Sequence, residues 1–297
     1  MESRVNPAAP AQSTVKVIAR PQHDQLGEGV CWSPRLGAVL WVDIIGKGLF
    51  RYDVASQHVD HWPLPEATGW IIERRRRDDF IIGMKSGFAR LSLDPFQIEH
   101  IVSPEPDRPG NRLNDAKVDP AGRIWAGTMD ASEATVCGAL YRLDPDFNCS
   151  RHDDGYTVTN RPTFSADGHT LYHTDSVRRI VSAFDLSADG TLSNKRTFLT
   201  FTDDQGYPDG MTTDAEGGIW IAHWAGGRVS RFLSDGTLDR SIALPASQIT
   251  NCAFGGPNLD RLFVTSAAKG LDDEPLAGSL FEVDPGVRGL PPIPFAG

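Results

Sequence analysis

Residues 210–236 read GMTTDAEGGIWIAHWAGGRVSRFLSDG. A short apolar run leads into the turn residues Asp214–Gly217, a second run rich in aromatic and β-branched residues follows, and a third ends at Asp235-Gly236. Runs this short, bounded by Asp and Gly, are strands joined by tight turns, and no helical periodicity is sustained. The same unit recurs at residues 29–56, 70–95, 115–130 with 138–145, 162–190, and 252–270 with 278–285. Its second strand carries Trp41, Phe80, Trp125, Tyr172, Trp220 and Phe263 in turn. Their spacing, roughly 40–50 residues, is the period of a four-stranded propeller blade. The pairs Ala121-Gly122, Asp167-Gly168 and Glu216-Gly217 supply the positive φ that tight hairpins need. Repeats of helical solenoids carry helices, and these do not. The expected architecture is therefore all-β: a six-bladed β-propeller with four-stranded antiparallel blades. Residues 13–297 are expected to form this single domain, closed by pairing a strand around residues 15–20 with the C-terminal end, and residues 1–12 to be disordered.

Composition narrows the partners. The 297 residues carry 29 basic and 39 acidic side chains, a net charge of -10, which argues against nucleic acid because phosphate contacts need a basic face. Residues 74–77 are four arginines, but Asp78-Asp79 follow at once, the pattern of a solvated turn. The four cysteines, Cys31, Cys137, Cys149 and Cys252, form no C-x-x-C pair and are expected to be free thiols. The first residues lack an apolar signal-peptide core and no run is long enough to cross a membrane. The expectations are a cytoplasmic location, no membrane or nucleic-acid partner, and a monomer by default.

Aligning the repeats on their first strands brings four oxygen-bearing side chains into register. Glu28 lies five residues before Ser33, Asn114 five before Asp119, Asn160 five before Ser165 and Asp209 five before Asp214. Asn and Asp ahead of a strand are individually ordinary turn formers. In a ring of blades, however, equivalent positions on the innermost strand point at one axis. Two carboxylates and two amides converging there suit a hard or borderline divalent cation, and two neighbouring carboxylates would repel without a cation or a shared proton.

Four longer blocks carry a family resemblance: LGEGVCW (26–32), NRLNDAKVDPAGRIWAGTMD (111–130), TNRPTFSADGHTLYHTDS (159–176) and YPDGMTTDAEGGIWIAHWAGGRV (207–229). Together they resemble the senescence-marker-protein (regucalcin)/gluconolactonase family, closest in look to its bacterial sugar lactonases, from about residue 20 to the C-terminus. The resemblance implies a six-bladed propeller with one divalent metal, which could be calcium, zinc, magnesium, manganese or ferrous iron. It also implies hydrolysis of a sugar aldonolactone, a gluconolactone or a pentonolactone, to the aldonic acid. It assigns Glu28, Asn160 and Asp209 as metal ligands, Asp209 also as general base, and Arg112 and Asn114 as substrate-binding residues; the register reading leaves Asn114 open as a fourth ligand. Two departures stand out. The family's Ser-Asn-Gly is here Thr159-Asn160-Arg161, so Arg161 either points outward or narrows and charges the pocket rim. Vertebrate members place a substrate-contacting Glu soon after Gly-Thr-Met; here the segment is Asp130-Ala131-Ser132-Glu133, which leaves Glu133 as the substitute.

A metal in this position could polarise a lactone carbonyl and activate water, with Asp209 moving the proton and Arg112 donating to the sugar. His173, His223, Asp43 and Asp175 are expected to be core or blade-bracing residues, and the tryptophans to be inter-blade core. No G-x-S-x-G elbow, P-loop or dinucleotide fingerprint occurs. The rival readings are hydrolysis of other lactones or organophosphates at the same site, and a non-enzymatic calcium-binding regulatory propeller.

Overall fold

The computed structural model describes residues 14–297; the disorder expected for residues 1–12 lies outside them. Six four-stranded antiparallel sheets are formed. The first strands are Gly27–Ser33, Thr68–Glu73, Asn111–Val118, Thr159–Phe164, Tyr207–Thr213 and Ile249–Gly255, and each touches the next around a closed ring. This is the six-bladed propeller expected from the repeat, and the turn residues Gly122, Gly168 and Gly217 all take positive φ. The strand Val15–Val17 pairs antiparallel with Phe281–Val283 as the outermost strand of the sixth blade, so both ends of the described chain build one sheet. Among the described residues no helix is long and apolar enough to cross a membrane.

The apolar side chains fall into six clusters, one in each gap between adjacent blades. Trp41, Trp70, Trp125 and Trp220 are fully buried in them. Each cluster draws on two sheets, so no blade has a core of its own, and a single repeat cannot bury its apolar faces alone. Each tryptophan carries an indole N–H into these gaps, and three of the four find a buried acceptor there, while Trp70 Nε1 has none among the described residues. Asp119 accepts from Trp125 Nε1 at 2.9 Å and Asp214 from Trp220 Nε1 at 2.8 Å. Each also takes the Nε of an arginine on its own blade, Arg123 or Arg231, at 2.6 Å. Asp24 plays the same part for Trp41 at 2.9 Å. Asp43 accepts backbone N–H groups of Gln25, Leu26 and Gly46, and Asp175 that of Thr157, as bracing residues do. His173 and His223 are core residues, packed on Tyr156 and Phe201 respectively. All four cysteines are free, Cys252 buried and the others half-buried.

Burial alone would raise the Asp214 carboxyl, but hydrogen bonds from Arg231, Trp220 and Gly218 hold it below its ordinary 3.8. A carboxyl lowered on folding adds stability above its unfolded pKa and loses it as pH falls. Asp214→Ala should cost about 2 kcal/mol in urea unfolding at neutral pH, because it leaves the Trp220 indole N–H and the Arg231 Nε without their acceptor, while Arg231 keeps Glu216 and Asp239. The difference from wild type should shrink on acidification. An unchanged urea midpoint at neutral pH would contradict the bracing role.

Candidate functional site

Every inner strand carries a register irregularity near its channel-facing start: Glu28/Cys31, Thr68/Trp70, Leu113/Ala116, Asn160/Thr163, Pro208/Met211 and Ile249/Asn251. A bulge breaks the strict in–out alternation of a strand and re-aims side chains. Two consecutive residues of one strand can therefore both serve the channel, and they form two layers. The upper layer holds Glu28, Asn114, Asn160 and Asp209, which line one cavity of about 360 Å³ together with Arg112, Glu133, Ser176, Arg179, Tyr207, Trp224 and Lys269. Asn114 Nδ2 donates to Asn160 Oδ1 at 2.8 Å, Arg112 Nη1 donates to Asn114 Oδ1 at 2.5 Å, and Asn160 Nδ2 donates to Ser176 Oγ at 2.7 Å. Asn160 thus keeps its oxygen on the ring side while Ser176 fixes its amide nitrogen.

The lower layer holds the residues that follow directly: Asp115, Arg161 and Asn251. Asn251 Nδ2 lies 2.6 Å from Asp115 Oδ2 and 2.8 Å from Glu28 Oε2, bridging the two carboxylates. Elsewhere in this layer the residue is glycine, and it must be: a Cβ on Gly210 would collide with the Asn251 side chain, and one on Gly69 with the Asn114 carbonyl.

The electrostatics of the upper layer are unbalanced. Glu28 is pushed up to about 8, first by burial and then by Asp115. Asp209 is raised well above the carboxylate range by burial, then by Glu28 and Asp115. Asp209 Oδ1 is buried with no hydrogen-bond partner among the described residues. An orphaned buried acceptor and two mutually repelling carboxylates are what a cation would relieve. Among the described residues no three His, Cys, Asp or Glu side chains form a metal-holding group; the donors here are two carboxylates and two amides, an all-oxygen set of the kind hard cations take.

The structure brings all the predicted site residues to this one cavity. Glu133 is the least committed of them: it sits in a turn at φ 60° and its Oε1 accepts from Lys269 Nζ at 3.0 Å. Sequence reasoning missed Asp115 and Asn251, because alternation places a neighbour of a channel residue on the opposite face. They hold equivalent positions in their repeats, but an alternating pattern does not mark those positions as inward-facing. Lys269, Arg179 and Trp224 come from loops and strand ends outside the aligned register, and the repeat carried no signal for them.

Comparison with known proteins bears on this geometry. The profile of the SMP-30/Gluconolactonase/LRE-like region matches residues 26–268. The chain belongs to that family. It is 36% identical over 287 residues to regucalcin from Gallus gallus, covering 92% of this chain and 95% of that one. Among solved structures it resembles a luciferin-regenerating enzyme, with TM-score 0.91 and 31% identity over 96% of this chain and 100% of that one. It also resembles a regucalcin from Agrobacterium tumefaciens described as a calcium-binding protein, with TM-score 0.89 and 29% identity over 95% and 97% of the two chains.

Within this SMP-30/gluconolactonase member, Arg161 takes neither course open to it from sequence. It is buried in the channel beneath the cavity, off the rim. Its Nε pairs with Asp115 Oδ1 at 3.2 Å, and its Nη1 donates to the Val30 carbonyl at 2.8 Å and reaches the Cys252 carbonyl at 3.5 Å. One side chain of the fourth blade thereby ties the first, third and sixth blades across the axis. Breaking a buried pair by removing one partner strands the other charge. Arg161→Met, which keeps volume and removes the cation, should lower unfolding stability by about 3 kcal/mol. A melting temperature equal to wild type would show that the cross-tie contributes nothing.

Proposed function

We infer that this protein is a metal-dependent hydrolase of sugar aldonolactones. The observation that carries the reading is the uncompensated pair Glu28 and Asp209, with the orphaned Asp209 Oδ1, in a cavity that also holds Arg112. Glu28, Asn160 and Asp209 would hold one divalent cation, with the Asn114 oxygen beside them. A cation there supplies Lewis-acid polarisation of a carbonyl and a lowered pKa for bound water. Asp209, beside the cation, would accept the proton of the attacking water. The water oxygen bonds to the lactone carbonyl carbon, the bond from that carbon to the ring oxygen breaks, and the proton passes from Asp209 to the ring oxygen. The products are a carboxylate and a free hydroxyl, with one proton released. Arg112 is placed to donate to the carbonyl or a sugar hydroxyl, and Asn114 holds Arg112 Nη1 in position.

Calcium binding without turnover is the second reading, favoured by the all-oxygen donor set and by the description of the Agrobacterium relative. A pH-indicator assay of gluconolactone and pentonolactone opening by chelator-treated protein separates the two. Activity should return with a divalent cation, and Asp209→Asn should lower kcat by about 10²–10⁴-fold with the far-UV spectrum unchanged. Full activity in that variant would remove Asp209 from the chemistry, and no lactone opening with any cation would leave the binding reading.

A further inference from the structure

A second cavity of about 520 Å³ adjoins the site and is lined by Lys47, Lys85, Arg112 and Lys269 against only two acids, Glu66 and Glu133. Leu26, Arg112, Glu133 and Lys269 line both cavities, so the two share a wall. In a chain of net charge -10, four cations at one cavity run against the overall balance. We propose that this cavity is an anion subsite, and that the preferred lactone carries a carboxylate or phosphate remote from the carbonyl that is opened. The proposal rests on the lactonase reading above.

The cations are placed by the fold. Lys47 and Lys85 sit on turns of the first and second blades, and their main chains are pinned: Leu64 N donates to the Lys47 carbonyl and Lys85 N to the Ala67 carbonyl, each at 2.8 Å. Both side chains are exposed, and neither forms an ion pair among the described residues. Arg112 is only 8% exposed and engages protein through Nη1, to Asn114 Oδ1 and the Leu113 carbonyl, without an ion pair among the described residues. A buried guanidinium lacking a carboxylate partner has donors to offer a ligand anion. Of the two acids, Glu66 is occupied with Ser86 and Glu133 with Lys269. The Glu133–Lys269 pair, 3.0 Å long and about half exposed at both ends, joins the third and sixth blades across the cavity mouth. Exposed pairs of this kind are weak, so a ligand carboxylate or phosphate can take over Lys269. A neutral polyol would meet a mixture of donors and acceptors; here the donors are cations.

The test compares kcat/KM of the cation-loaded protein for glucono-1,5-lactone, a carboxylate-bearing lactone of glucaric acid, and 6-phosphoglucono-1,5-lactone. One charged lactone should exceed the neutral one by about tenfold, mainly through KM, since two exposed ion pairs at up to about fivefold each multiply to that order. The Lys47→Ala/Lys85→Ala double variant should cut the charged-to-neutral ratio by about the same factor, as should raised salt. Which charged substrate responds identifies the anion. Equal rates for all three lactones, or a ratio indifferent to the double variant, would overturn the subsite. If no lactone is opened, the lactonase reading fails by itself, and calorimetry with glucarate and inorganic phosphate decides the subsite. Binding lost in the double variant would uphold it, and absence of binding would overturn it.

Discussion

Glu28, Asp115 and Asp209 bring three carboxylates to the axis of a closed ring of sheets, and among the described residues only Asp115 has a cation paired with it, Arg161. Burying ionised carboxylates without compensation is costly, and burial here raises all three. Much of the inner architecture manages that cost. The six bulges let two layers of side chains share the channel, glycines in the lower layer make room, and Asn251 spans Asp115 and Glu28. The inter-blade clusters and the aspartate-braced tryptophans supply the apolar stability against which this polar axis is held open.

The two ends of the channel differ accordingly. At the Glu28–Asp209 end the cavity mixes charged and amide side chains with apolar ones and opens between loops of opposite blades. At the other end the inner strands run past Arg161 to a smaller, largely apolar cavity lined also by Leu290, Pro291, Pro292, Ile293 and Pro294. This C-terminal strap is anchored on both sides: Gly289 bridges to Asp214 of the fifth blade, and Phe295 to Arg74 of the second. A proline-rich segment lacks most of the N–H donors that a crossing strand would leave unpaired, which suits it to lie over a channel mouth.

How much of this was legible in the sequence follows from what a repeat can encode. Six aromatics at one strand position, and Glu28, Asn114, Asn160 and Asp209 at another, recur with the blade period, so blade number, ring closure and the upper layer could be derived from register. The lower layer could not, because Asp115, Arg161 and Asn251 face inward only through bulges, and a bulge leaves no mark in an alternating pattern. The pairing of Arg161 with Asp115 is a contact between blades 46 residues apart and has no local signal. Lys269 and Glu133 meet through loop geometry alone, which periodicity does not describe. The lactonase proposal draws on family likeness, because a ring of oxygen donors suits a cation and leaves the bond to be broken open.

Glu28, Asn160 and Asp209 would together hold one divalent cation on the propeller axis. Calorimetric titration of chelator-treated protein with calcium, zinc, magnesium and manganese in turn, beside the Asp209→Ala variant, tests it most directly. The account predicts a single site per chain for at least one of these cations, lost in the variant. Equal binding by the variant, or no binding of any of them by the wild-type protein, would contradict it.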